Sequence, residues 1–198
     1  MRRLAWLAYL LPLALGGVGW LASAPVITTP AYAVEHAATP EEAGTVNLAA
    51  LSRGARVTVS SYHWFNSHHP LFLIDEHPNP GLTEKWVSAG KDRAPWLELA
   101  LAAPARVESI ALDLASIRED RAYDLRDYDL TCLGPEGVLS RFEVRGNTGS
   151  RPVHALGCEG ATRIRIDFQV EEEGSPRGVV RLFELRVLGR FEAGGEGA

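Results

Sequence analysis

A chain of 198 residues with 46% hydrophobic and 23% charged residues is long enough to bury one sizeable core and does not require a second domain. Its formal net charge of -5 opposes nucleic acid as a partner, because phosphate backbones draw proteins rich in clustered Lys and Arg. No G-x-S-x-G elbow, H-E-x-x-H pair or G-x-x-x-x-G-K-[ST] loop is present, so the usual nucleophile, zinc-hydrolase and nucleotide chemistries are unsupported and no enzyme is expected.

Met1, Arg2 and Arg3 precede an apolar stretch from Leu4 to Ala24, and Ala31, Tyr32 and Ala33 offer a small-residue cleavage site. This order predicts an export signal over residues 1–33, cut after Ala33, and a secreted or periplasmic protein. A competing site at Ala22, Ser23 and Ala24 is followed by Pro25, whose fixed φ and missing N–H sit awkwardly after a cut. The stretch also approaches the roughly 20 residues that span a bilayer, and Pro12, Gly16, Gly17 and Gly19 are tolerated in membrane helices, so an uncleaved anchor is the alternative. Residues 34–45 lack apolar periodicity and read as a linker, and the Gly-rich residues 191–198 read as a frayed tail.

Between them, residues 46–190 alternate with period two. Ile164, Ile166, Phe168 and Val170 are interleaved with Arg163, Arg165, Asp167 and Gln169, the pattern of a half-buried strand. Leu97, Leu99 and Leu101 alternate with Glu98 and Ala100, and Ile110, Leu112 and Leu114 with Ala111 and Asp113. Turn formers punctuate these runs at Gly134-Pro135-Glu136-Gly137, Gly146-Asn147-Thr148-Gly149 and Glu173-Gly174-Ser175-Pro176. About eight strands without a long helical period predict an all-β, two-sheet jelly roll.

Cys132 and Cys158 are the only cysteines, and in an exported protein such a pair is more often a disulfide than a metal or redox site. The acids among Arg118-Glu119-Asp120-Arg121 and Asp124-Leu125-Arg126-Asp127 could form a glycosidase pair across a cleft, but the interleaved arginines pair with them more simply on a solvated loop. His63, His68, His69 and His77 invite a transition-metal reading, against which adjacent His68 and His69 point to opposite faces of an extended chain. The strongest functional signal is the loop 62–70, where Tyr62, Trp64 and Phe65 stand among His63, His68 and His69. Aromatic faces pack on the C–H face of a sugar while His63 and Asn66 hydrogen-bond its hydroxyls. The same aromatics could instead close the open end of the sandwich, or wedge into a membrane interface.

Taken in order, Asn47-Leu48-Ala49, the strand from Gly54 to Ser61, the aromatic loop, Leu73-Ile74-Asp75, Trp86, Trp96, Tyr128-Asp129-Leu130, Gly146-Asn147 and Phe183-Glu184-Leu185 resemble the discoidin, or coagulation factor 5/8 type C, family of the galactose-binding-like superfamily. The resemblance implies a galactose-binding-like jelly-roll sandwich over residues 46–190, and a non-catalytic binding module whose ligand is a glycan at a cell or matrix surface. A phospholipid- or protein-binding adhesion module and a structural domain on a membrane anchor are the alternatives. It implies that Tyr62, His63, Trp64, Phe65 and Asn66 form the first binding loop, with Arg118, and Arg121 beside it, on the neighbouring loop. It also implies a structural Ca2+ held by Asp75 and Glu184, whose hard oxygens suit that ion. Two departures stand out: the family usually places Gly where this chain has Glu76, and its usual disulfide joins the domain's ends. Trp86 and Trp96 correspond to core tryptophans.

Overall fold

The structure, a computed structural model, describes residues 44–63, 68–77, 81–171 and 177–192, together with the backbone of Ile27 and Thr28. Trp64, Phe65 and Asn66 therefore lie outside the described residues, as do nearly all of the expected signal and linker. The described strands are β1 (Ile27–Thr28), β2 (Val46–Asn47), β3 (Arg56–Val59), β4 (Trp86–Val87), β5 (Trp96–Leu114), β6 (Asp127–Gly134), β7 (Gly137–Val144), β8 (Val153–Gln169) and β9 (Arg181–Phe191). No α-helix occurs among the described residues, and short 3-10 turns fill some of the connections.

All strand pairs are antiparallel. The order β1-β3-β5-β8-β6-β7 runs along one path, and β9 joins β5, β2 and β4. The long β5 makes the sandwich from this sheet. One of its edges pairs with β3 over residues 97–100 and with β9 from Ala105 onward, while the other follows β8. Register shifts between Ala100 and Ser109 separate these halves. Bulges bend a strand and increase its twist, which lets one strand serve two layers.

Side-chain alternation places the core between the layers. In β8, Ile164, Ile166 and Phe168 are buried while Arg163, Arg165 and Asp167 remain partly exposed. Leu97 and Leu99 of β5 face the same interior and pair with Ile166 and Ile164. Trp86 is fully buried, donates its indole N–H to the Ser61 carbonyl at 2.9 Å, and lies 5.8 Å from the Phe168 ring. Trp96 takes the opposite face from Leu97 and stays partly exposed under the Arg165 guanidinium, 4.4 Å from its ring. Its role is packing on the outer surface, where the sequence placed it in the core.

Three further details differ from the sequence reading. Alternation predicts an outward Asp113, but it is only 7% exposed, because the flanking Arg186 and Arg151 approach its carboxylate at 2.7 and 3.6 Å. Secondly, β9 continues to a buried Phe191, so the sheet takes up the first residue of the expected tail. Thirdly, Ile27 and Thr28 pair with Val59 and Thr58 although they fall within the expected signal. At Gly189, a Cβ would meet the Arg106 carbonyl oxygen at 2.2 Å, so the approach of β9 to β5 requires glycine there. Cys132 of β6 and Cys158 of β8 are joined by a disulfide with Cα atoms 6.5 Å apart.

Candidate functional site

Loops following β3, β5 and β7, together with the approach to β9, meet at one end of the sandwich. A buried ionic group ties three of them together. Glu119, between β5 and β6, accepts from Lys85 at 2.5 Å and from Arg181 at 2.9 Å. Burial works to raise the Glu119 pKa, but these two cations outweigh it and hold the carboxyl below its ordinary value. Arg181 also stacks on Tyr123 at 3.9 Å, and Lys85 lies over Phe183 at 5.2 Å. Such a group is costly to break, because removing one member leaves a charge without its partner in a largely buried setting.

The loop after β5 is stiffened locally as well. Asp120 caps the 3-10 turn Arg121–Tyr123 by accepting from the Ala122 N–H at 2.7 Å. Both oxygens of buried Asp124 accept from Ser116, at 2.8 Å from its N–H and 2.6 Å from its hydroxyl. Asp127 accepts from the Gly146 N–H at 2.7 Å. The acids that a glycosidase reading would use are thus each engaged in holding backbone or a buried ion group.

This loop separates Arg118 from Arg121. Arg118 lines a pocket of about 420 Å³ with Asn47, Glu76, Asp113, Glu184 and Arg186. Arg121 lines a second basin of about 210 Å³ with Asp124, Arg126, Asn147, Thr148 and Arg177. On the first loop, Tyr62 is partly buried against the core, with its ring 5.7 Å from His69 in an edge-on contact. His63 is exposed, and its backbone N–H donates to the Val87 carbonyl at 2.7 Å. The base of the loop is therefore anchored on β4 and Trp86, with Tyr62 turned to the core and His63 to solvent.

The histidines face different partners. His68 Nδ1 lies 3.1 Å from the Thr83 carbonyl oxygen, His69 Nδ1 accepts from the Leu71 N–H at 3.2 Å, and His77 lies 3.6 Å from Glu84. Burial lowers the pKa of both His68 and His69, favouring neutral rings. No three His, Cys, Asp or Glu side chains converge into a metal cluster among the described residues.

Asp75 and Glu184 were paired by resemblance, and their electrostatics are coupled. Glu184 is 7% exposed. Burial, followed by the nearby Asp75 charge, raises its pKa to about 8, against the partial opposition of Arg186. Asp75 is also raised by burial, although the His77 N–H donates to it at 3.1 Å. Buried Glu184 and the exposed Asp75 whose charge acts on it supply hard carboxylate oxygens of the kind a divalent cation such as Ca2+ accepts. With only two such carboxylates, the remaining ligands would be backbone carbonyls or water.

Sequence reasoning missed the residues surrounding this pair. Glu76 occupies a left-handed conformation with φ 57, at the position where the resemblance expects Gly. Its carboxylate accepts from Asn47 at 3.3 Å and Ser52 at 3.1 Å. Asn47 in turn accepts from the N–H groups of Ala49 and Val187, at 3.2 and 3.1 Å. The departure from Gly was the one visible signal; the partners come from distant segments.

No protein-family model and no curated protein sequence matches this chain. Its fold does match solved structures. A fucose-binding module of Streptococcus pneumoniae aligns with TM-score 0.58 and 17% identity, covering 75% of this chain and 99% of that one. The family 32 carbohydrate-binding module from Streptococcus pneumoniae EndoD gives 0.57 and 20%, covering 72% and 98%. A chitosan-binding module from a chitosanase/glucanase of Paenibacillus sp. IK-5 gives 0.56 and 19%, covering 73% and 99%. The chain therefore has the galactose-binding-like, discoidin-type fold.

Proposed function

We propose that the chain is an exported, non-catalytic module that binds carbohydrate at a cell or matrix surface through the loop end of its sandwich. The observation carrying this reading is that 68 to 75% of the chain matches, at TM-scores of 0.53 to 0.58, nearly the full length of separate modules named for fucose or chitosan binding or, for a C. perfringens NanJ module, solved with galactose. Low identity means that shared fold supports the class of ligand without naming the sugar. Exposed His63 on an anchored loop, next to Trp64, Phe65 and Asn66 in the sequence, supports the same end as the binding surface. Arg118 and Arg121, on the neighbouring loop, line two separate pockets and would contact ligand from them. Asp75 and Glu184 would hold Ca2+ as a structural ion, offsetting the charge of buried Glu184 and fixing the loop that contains Glu76.

A glycan array beside a liposome panel, each run with the parent and a Trp64→Ala, Phe65→Ala double variant, tests the reading. A shallow single site should give Kd on the order of micromolar to millimolar, or about -8 to -4 kcal/mol. The double variant should lose glycan binding while retaining the parent melting temperature, since a ligand-contacting role for these aromatics leaves the core intact. Unfolding of the variant would assign these aromatics to the core. Liposome binding that disappears while glycan binding is normal would favour the lipid module, and binding to neither ligand would leave a protein partner or structural role.

A further inference from the structure

We propose that the arginine basin beside β6 receives a carboxylate or sulfate carried by the glycan, making the ligand an anionic rather than a neutral oligosaccharide. This rests on the carbohydrate reading above and specifies its chemical class. Among the described residues the lining has three guanidinium groups, from Arg121, Arg126 and Arg177, against the carboxylate of Asp124 and that of Glu171, which pairs with Arg177 from outside the lining. In a chain of net charge -5, this is a local reversal of sign.

Hydrogen bonding sharpens the assignment. Both Asp124 oxygens are occupied by Ser116, at 2.8 and 2.6 Å. The Asn147 side-chain oxygen accepts from the Gly149 N–H at 3.1 Å, while its amide donates to the Leu125 and Gly149 carbonyls at 2.9 and 3.0 Å. The side-chain acceptors of Asp124 and Asn147 are thus already engaged. Arg126 is exposed and forms no side-chain hydrogen bond or ion pair among the described residues. Arg121 spends one N–H on the Thr148 carbonyl at 2.6 Å, which orients the rest of its planar fork. Arg177 reaches the basin while paired with Glu171.

Guanidinium groups donate and cannot accept. Neutral sugar hydroxyls need both donors and acceptors, whereas a carboxylate or sulfate presents only acceptors in a shape that the guanidinium fork matches. Asn147, whose backbone N–H donates to the Arg126 carbonyl, belongs to a lining whose unused side-chain hydrogen-bonding capacity is mainly cationic.

Calorimetry with the full chain can test this using a galacturonic acid trisaccharide, a sulfated galactan (carrageenan) tetrasaccharide that carries sulfate and no carboxylate, a neutral galactose trisaccharide and inorganic sulfate. At least one acidic oligosaccharide should bind about tenfold tighter than the neutral one, and added salt should erode the preference. Arg126→Gln should reduce that acidic binding about tenfold without changing the melting temperature, since the side chain is exposed and unpartnered; Arg121→Gln should reduce it as well. The stronger acidic ligand distinguishes carboxylate from sulfate. Equal neutral and acidic affinities, or acidic binding unchanged in Arg126→Gln, would overturn the inference while leaving the carbohydrate reading intact. Binding of neither acidic oligosaccharide would overturn the inference even if inorganic sulfate alone were held, and a blank glycan array would overturn the carbohydrate reading with it.

Discussion

Burial withdraws water from Glu184, Asp75 adds a second negative field, and Arg186 offsets only part, so the carboxyl pKa rises from 4.5 to about 8. The folded chain consequently holds a proton that the unfolded chain has released across this interval. Its stabilising contribution is complete below about 4.5 and is lost as pH rises through about 8. Melting temperature should therefore fall across that window, and Glu184→Gln should flatten the decline. At the alkaline end, Ca2+ should raise the parent melting temperature by native-state binding, and chelator should reverse the rise. The same slope and calcium response in Glu184→Gln would remove this carboxylate from both roles. Glu119 has the opposite sign, since its lowered pKa makes its contribution fail on acidification below its ordinary range. The acid types of Asp75 and Glu184 were legible in the sequence, but the burial of Glu184 was not. Glu76 shows why: its left-handed backbone is held by Asn47 and Ser52, partners 29 and 24 residues away.

At the scale of elements, the Cys132–Cys158 disulfide connects adjacent strands β6 and β8 across a separation of 26 residues. Loop closure of that length contributes about 3 kcal/mol. A Cys132→Ala, Cys158→Ala double variant should lose stability of that order in denaturant titration, while an unchanged midpoint would show that the sheet contacts suffice. Non-reducing peptide mapping checks the linkage directly. Strand alternation was readable in β8 because one face meets the core and the other meets solvent. It misled at Asp113, where β9 and its Arg186 cover the nominally outward side. Local periodicity records the strand's pleat, while such cover comes from a segment 73 residues away.

For the whole molecule, export and processing remain the main proposal from the terminal sequence. Mass spectrometry of protein recovered outside the cytoplasm should find Val34 at its terminus; an intact Met1 in the membrane fraction would establish the anchor, and Pro25 would establish the competing cut. Cleavage after Ala33 would remove β1 and expose the outer edge of β3, whereas cleavage after Ala24 would retain it. The all-β sandwich was legible without tertiary information because short, alternating apolar runs separated by turn formers have few other ways to bury their faces. The separation of Arg118 and Arg121 was not, although they are three residues apart. Sequence by itself determined the residue chemistry, strand periodicity and loop positions. Only the tertiary structure decided that Arg118 faces the carboxylate pocket and Arg121 the arginine basin, because each site is assembled from segments whose proximity depends on the folding of β5 and the docking of β9.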